Sequence, residues 1–408
     1  VEKLIKRRQG MENEAGSKIE SDMEVNTQNT EKNRLNNESD NRVEFKNKNE
    51  PQKAAELMQT PEIDSDHFFK LIDSSIKGLK EYRLIVSALE FGVFEALKAP
   101  LSAVSLAEKL GCDPALMPHF CEALYSLGLL DRFEEKVFEG ERNTQKSPDI
   151  VYRVSGLSST YLLESSPFSQ QHCLAGSLRT VELWNRLPEI MKNGPEVFEK
   201  GAFFGEVIQS MAENARCGML QETVKTVTEH VDMGNVEKLL DLGGGHGLYA
   251  IAFAKLNENL RAFVFDLPPV TEKTKEFIEK YGASNVGVIP GDFFKDEIGE
   301  GYDLIFSSFN PGGKVPSLIP RIAEALNPGG IFVTRQTLDE KIKSSSLLSL
   351  DWNLWTFEGV KKGGSGYSFE KSVPFTEYVK MLGNYGLEVF STLDMNDESR
   401  IVFARKVA

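Results

Sequence analysis

The run Asp241-Leu-Gly-Gly-Gly-His-Gly247 (DLGGGHG) closes a short apolar stretch, Val236–Leu242, and opens a second one, Leu248–Leu256. A brief apolar run bounded by glycine reads as a strand buried on both faces, and the longer segment after it as a helix. Glycines between the two let the backbone turn tightly and approach a ligand with no Cβ in the way. Strand, glycine-rich turn and helix together form the nucleotide-cradling unit of open α/β sheets. Two readings of the run stay open at this level. A dinucleotide GxGxxA pattern can be laid on Gly245, Gly247 and Ala250; alternatively a D-x-G-x-G-x-G loop begins with Asp241 at the strand end and Gly243 at the turn.

Working outward from the loop, strands and helices alternate. Ala262–Asp266, Val286–Pro290, Tyr302–Ser308 and Ile331–Gln336 read as strands, with helices at Pro269–Tyr281 and Val315–Leu326. A helix at Phe375–Tyr385 and strands at Leu387–Leu393 and Arg400–Arg405 finish the chain. Such alternation predicts an α/β, Rossmann-like domain over 233–408, with helices on both faces of a parallel sheet and a late hairpin. Asp266 and Leu267 sit in FDLPP at the end of the second strand, where a carboxylate reaches ribose hydroxyls under either reading. GDFF (291–294) discriminates between them. It follows the third strand, where the second reading, the D-x-G-x-G-x-G loop of S-adenosylmethionine methyltransferases, calls for a carboxylate (Asp292) for the adenine amine and an apolar wall (Phe293) for the ring. Ser307, near the end of the fourth strand, joins the candidate cofactor set.

The remaining chain divides into three parts. Residues 1–66 hold 11 Lys/Arg, 15 Asp/Glu and one aromatic, Phe45, a composition predicting a disordered polar tail. Residues 67–165 read as a long helix, a helix–turn–helix capped at Ser102 or Ser105 and at Asp113, and a two-stranded ribbon, the order of a winged helix. Residues 166–232 read as mostly helical, over Leu174–Met191 and Phe204–Val227. The would-be DNA-reading helix, PALMPHFCEALYS (114–126), has no Lys or Arg, and the whole chain carries a net charge of −14. Groove reading needs the opposite chemistry, so no nucleic-acid partner is expected.

DLGGGHG, FDLPP, GDFF and EALNPGG (324–330), together with the preceding winged helix, resemble the plant- and hydroxyindole-type O-methyltransferase family over roughly residues 68–405. The resemblance implies S-adenosyl-L-methionine as cofactor, a small-molecule methyl acceptor, a homodimer formed through the winged-helix domain, and linking helices that line the acceptor pocket. Gly243 and Asp266 would then meet the cofactor's backbone and ribose, with Asp241, Gly245, Gly247 and Leu267 beside them, and Asp292 and Phe293 would bracket adenine. Met211 matches the family's pocket methionine, and Trp352 and Tyr367 are further pocket candidates.

One element of the family pattern is missing. The general base is a histidine shortly after the fourth strand, but here that segment reads DLIFSSFNPGGK (303–314), and none of the five histidines lies beyond His246. The family's two orienting acidic positions fall on Gln336 and near Gly366. A phenol with a pKa of ~10 normally needs a base within hydrogen-bond reach. Three routes stay open. The acceptor ionises without help, as a thiol, an activated carbon or an already ionised oxygen would. Alternatively Lys314, Arg335, Tyr367 or Asn310 substitutes, Arg335 also being placed to anchor an acidic acceptor group. The third route is cofactor binding without chemistry. His246 reads as a cofactor-side contact or exposed spacer.

Four cysteines without a CxxC pair argue against a disulfide framework or a zinc ribbon, so no metal and a reducing, cytoplasmic setting are expected. No apolar run reaches the ~18 residues of a membrane span.

Overall fold

The computed structural model describes residues 56–135, 149–310, 312–339, 346–362 and 369–407. The polar tail expected over 1–66 lies largely outside the described residues. The chain divides into two compact units between Leu163 and Glu164.

The first unit contains α1 (Asp66–Glu90), α2 (Val93–Ala96), β1 (Leu101–Ser102), α3 (Ala103–Leu110), α4 (Met117–Ser126), β2 (Leu130–Glu135), β3 (Asp149–Val154) and α5 (Gly156–Tyr161). β3 pairs with both β1 and β2, antiparallel in each case. Ser102, not Ser105, caps α3: its hydroxyl accepts the Ser105 N–H at 3.2 Å. The Asp113 carboxylate accepts the N–H groups of Ala115 and Leu116, fixing a turn ahead of α4. Phe94, Leu97, Leu106, Cys121 and Leu124 close the core. The outer face of α1 stays apolar: Phe68, Phe69, Leu71, Ile76 and Leu79 are all exposed, Phe68 at 60%.

The second unit begins with α6 (Gln171–Asn185), α7 (Leu187–Asn193), β4 (Glu196–Phe198), α8 (Lys200–Ala215) and α9 (Met219–His230). It continues with β5 (Lys238–Leu242), α10 (Leu248–Leu256), β6 (Arg261–Asp266), α11 (Pro268–Lys280), β7 (Val286–Pro290) and β8 (Tyr302–Ser308). Next come α12 (Ile319–Ala325), β9 (Leu326–Thr337), α13 (Ser346–Asn353), β10 (Trp355–Phe357), α14 (Phe375–Leu382), β11 (Leu387–Asp394) and β12 (Ser399–Lys406). Seven strands form one sheet in the order β11-β12-β9-β8-β5-β6-β7. β12 runs antiparallel to both neighbours and the other pairs are parallel. One face buries Leu248, Ala250, Phe253 and Phe277 of α10 and α11; the other buries Ile319, Ile322, Phe375 and Tyr378 of α12 and α14. Because β5 lies between β6 and β8, the chain reverses its order of strand addition there, and a crevice opens at the carboxyl ends of β5 and β8.

Both long helical stretches of the linking region are interrupted. Arg186 separates α6 from α7, whose first turn holds Pro188 and so lacks the N–H to continue a ladder. Gly218, at φ 121°, separates α8 from α9. β4 pairs in parallel with β10, and three-residue strands are too short for an alternating pattern to reveal them.

Candidate active site

Two adjoining cavities lie in the second unit, and Phe204, Met211 and Phe309 line both. The first is the crevice at the strand ends. Gly243 and Gly245 from the loop, Asp266, Leu267, Asp292 and Phe293 line it. The Asp266 carboxylate accepts the Gly245 N–H at 2.9 Å and the Leu267 N–H at 2.7 Å, so it is fixed at the lip of the loop. Gly243 has φ 71°, and a Cβ there would stand 2.1 Å from the Asn310 amide nitrogen. Loop and β8 tip therefore touch at this point. The Asn310 Oδ1 accepts the Gly312 N–H at 2.9 Å, which turns Nδ2 away; that buried donor has no partner among the described residues.

Several expected cofactor contacts stand elsewhere. Asp241 is buried behind the loop, its Cγ 2.4 Å from where a Gly244 Cβ would be, and its Oδ2 also lacks a partner among the described residues. Gly247 packs rather than lines: a Cβ there would meet Thr274 at 2.7 Å. Ser308, not Ser307, faces the crevice, because side chains alternate along a strand. His246 is neither exposed nor a crevice contact. It is buried, its Nδ1 accepts the Leu248 N–H at 3.1 Å, and burial pushes its pKa down to about 4.

Burial also drives the Asp241 carboxyl up to about 8, with the Asp266 charge adding to the shift and the Ala250 N–H opposing it. From about 4 to about 8 the folded chain thus holds a proton that the unfolded chain has released, so this group makes stability fall as pH rises. His246 acts the other way, withdrawing stability as pH falls from 6.5 to about 4. Asp241→Asn removes only the first slope. Its melting temperature should exceed that of wild type at pH 8, by roughly 2–4 °C per kcal/mol released, and match it near pH 4. Thermal melts across pH check this; parallel curves for the two proteins would contradict it.

The second cavity, of about 590 Å³, has aromatic walls from Phe198, Phe203, Phe204, Trp352 and Trp355. Trp355 stacks on Phe203 with ring centroids 4.7 Å apart and planes 24° from parallel. Trp352 and Met211 both line this cavity. Tyr367 lies outside the described residues. Burial against the two indoles pushes the Lys362 pKa down to about 7, with Asp351 opposing; its Nζ stands 3.2 Å from the Trp355 ring centroid.

Lys314 lines this cavity and is almost fully buried. Its ammonium donates to Asp339 Oδ1 at 2.7 Å, and Asp339 Oδ2 accepts the Phe375 N–H at 2.7 Å. Gln336 also lines the cavity and donates to the Asn310 carbonyl at 3.2 Å. Arg335 does not reach it. The guanidinium turns to the opposite face of β9, fully buried, where it donates to Ser399 Oγ and Asp397 Oδ2 at 2.9 Å each and to the Thr223 hydroxyl. It is no anchor for an acceptor. No histidine lines either cavity. His172, beside Cys173, bonds Glu213 at 2.5 Å, and Glu213 also accepts the N–H groups of His172 and Cys173. Among the described residues no cluster of His, Cys, Asp and Glu could hold a metal. Sequence reasoning missed Asp339 and Lys362, which belong to no motif or period, and Phe309, which lies in the DLIFSSFNPGGK stretch but has no chemistry there to single it out.

A sheet in this order, with a glycine-lined crevice at its switch point beside an aromatic cavity, is a Rossmann-like nucleotide-cofactor fold. The O-methyltransferase domain model matches residues 202–361, and the O-methyltransferase dimerisation domain model matches 74–164. An uncharacterised protein of Methanocaldococcus jannaschii is 36% identical over 345 residues, 84% of this chain and 90% of that one. Acetylserotonin O-methyltransferase of Bos taurus is 28% identical over 290 residues, 66% of this chain and 81% of the relative. The crystal structure of human N-acetylserotonin methyltransferase in complex with S-adenosylmethionine has a TM-score of 0.63 at 22% identity, covering 86% of this chain and all of that one. The chain belongs to the O-methyltransferase family, whose enzymes move the methyl group of S-adenosylmethionine to a small-molecule acceptor.

Proposed function

We propose that this enzyme methylates an acidic hydroxyl of an aromatic small molecule, and that Lys314 stabilises the acceptor's oxyanion in place of a base that removes its proton. The observation carrying this reading is the buried Lys314–Asp339 pair on a cavity that no histidine lines. An ammonium within ~4–6 Å of an acid lowers its pKa by ~1–3 units. A hydroxyl of ordinary pKa ~8 would thus ionise in the cavity at or below neutrality, whereas a simple phenol at ~10 would do so only at the top of that range.

The crevice fits S-adenosylmethionine on three counts. Its glycines stand where a Cβ would fill the loop, Asn310 Nδ2 is an unused buried donor at the wall, and Phe293 and Phe294 form an apolar surface. Asp266 would take the ribose, Asp292 and Phe293 the adenine, and the loop around Gly243 and Gly245 the amino-acid end. Bound there, the cofactor supplies a sulfonium-activated methyl. Phe203, Phe204 and Trp355 would hold a flat acceptor and exclude water, and Lys314 would hold the charge on the attacking oxygen. Calorimetry with S-adenosylhomocysteine tests the donor half: one site per chain, of the order of micromolar, is expected. Absence of binding would sink the reading.

The exposed apolar face of α1 and the dimerisation-domain match support a homodimer, which sedimentation checks by twice the chain mass. Four free cysteines favour a reducing, cytoplasmic setting. Among the described residues no helix is long and apolar enough to cross a membrane. α4 carries no Lys or Arg, which favours no role on DNA.

A further inference from the structure

Phe309 is one of two residues other than glycine with a positive φ among the described residues, at 50°. A left-handed conformation is costly for a bulky side chain, and it persists only where its surroundings impose it. Glu398, the other, belongs to the turn between β11 and β12. Phe309 follows β8 and lines both the crevice and the aromatic cavity. Its backbone N–H donates to the Arg335 carbonyl at 2.9 Å, and the next residue's carbonyl accepts from Gln336 at 3.2 Å and from the Gly313 N–H at 2.8 Å. The Arg335 guanidinium carbon stands over its ring, 5.1 Å from the centroid.

That guanidinium is an expensive group to bury. It is tied to Thr223 on α9 and to Asp397 and Ser399 at the β11–β12 hairpin, with Glu222 at 3.7 Å. Two elements, α9 and the β11–β12 hairpin, thus converge on one cation that stands over one ring. Guanidinium-on-aromatic packing is worth more when desolvated. Nothing in methyl transfer uses Arg335 directly, since it lines neither cavity.

We propose that Phe309 is the partition between the methyl-donor crevice and the acceptor cavity, and that Arg335 is the positioning residue that holds its ring there. The proposal rests on the donor reading above. It assigns the strained backbone to keeping the ring at the boundary, where it packs against the donor on one side and limits the depth of the acceptor on the other.

A double-mutant cycle with S-adenosylhomocysteine calorimetry tests it, alongside thermal melts. Phe309→Ala should weaken binding about tenfold, through the lost crevice wall. Arg335→Lys keeps the charge beside Asp397 but loses the flat stacking face, and should weaken binding about fivefold although it touches no ligand. The double variant should bind no more weakly than Phe309→Ala, because Arg335 acts through a ring no longer present. Additive losses would overturn the positioning role. Phe309→Gly should bind like Phe309→Ala yet melt above it, reversing the usual glycine penalty, because glycine adopts φ 50° freely. Should Arg335→Lys not fold, the Phe309 pair still decides: binding as tight as wild type, or Gly melting below Ala, overturns the partition. Loss of binding in wild type itself would instead overturn the donor reading, and the partition with it.

Discussion

Lys314→Met should lower kcat/KM by about 10²–10³-fold, the range seen when one fixed electrostatic partner of a developing or held oxyanion is removed. S-adenosylhomocysteine affinity should stay within about twofold, because Lys314 lines only the aromatic cavity. The same substitution leaves Asp339 as an uncompensated, nearly buried carboxylate, at a cost of ~3–5 kcal/mol. Stability and catalysis must therefore be separated. In Lys314→Met/Asp339→Asn both charges are gone, so the melting temperature should recover while activity does not. Lys314→Arg keeps the charge and should retain more activity than Lys314→Met. Activity returning together with stability in the double variant would show that Lys314 serves only the fold.

Gly243→Ala carries the largest expected effect on the donor side. A Cβ at this position would sit 2.1 Å from Asn310 Nδ2 and 2.9 Å from its Cγ, and the backbone stands at φ 71°. The methyl and the amide cannot share that space, so either the loop or the β8 tip must move, and both line the crevice. S-adenosylhomocysteine affinity should fall at least ~100-fold, near 2.7 kcal/mol. Gly282→Ala is the control: it has a similar left-handed backbone, φ 55°, but open space around it. That variant should lose ~1–2 kcal/mol of stability and bind normally. Calorimetry on the two variants distinguishes a crevice clash from backbone strain alone, and equal affinities would contradict the crevice assignment.

The strands around the crevice were legible because each is a short apolar run ended by a residue that cannot continue it. Val286–Pro290 and Tyr302–Ser308 match residue for residue. Asp266, Asp292 and Phe293 were legible for a related reason: in an open α/β sheet the ligand sits at strand ends, and strand ends can be found by pattern. Side-chain direction at those ends was not. Arg335 and Gln336 are neighbours in β9, yet one enters a buried ion network and the other the cavity. A one-residue alternation reverses that assignment, as it does for Ser307 and Ser308. Asp339 was invisible because its partner Lys314 is 25 residues away and the pair exists only after β9 has docked beside β8. His246 read as a cofactor-side contact or an exposed spacer because glycines surround it in sequence, whereas it is buried.

The dependence of kcat/KM on pH for two acceptors whose hydroxyl pKa values differ by about two units tests the base-free assignment most directly. A self-ionising acceptor held by Lys314 predicts that the rising limb moves with the acceptor, the kcat/KM inflection lying at each acceptor's solution pKa and the kcat inflection below it. An inflection at the same pH for both acceptors would place the titrating group on the protein and contradict it.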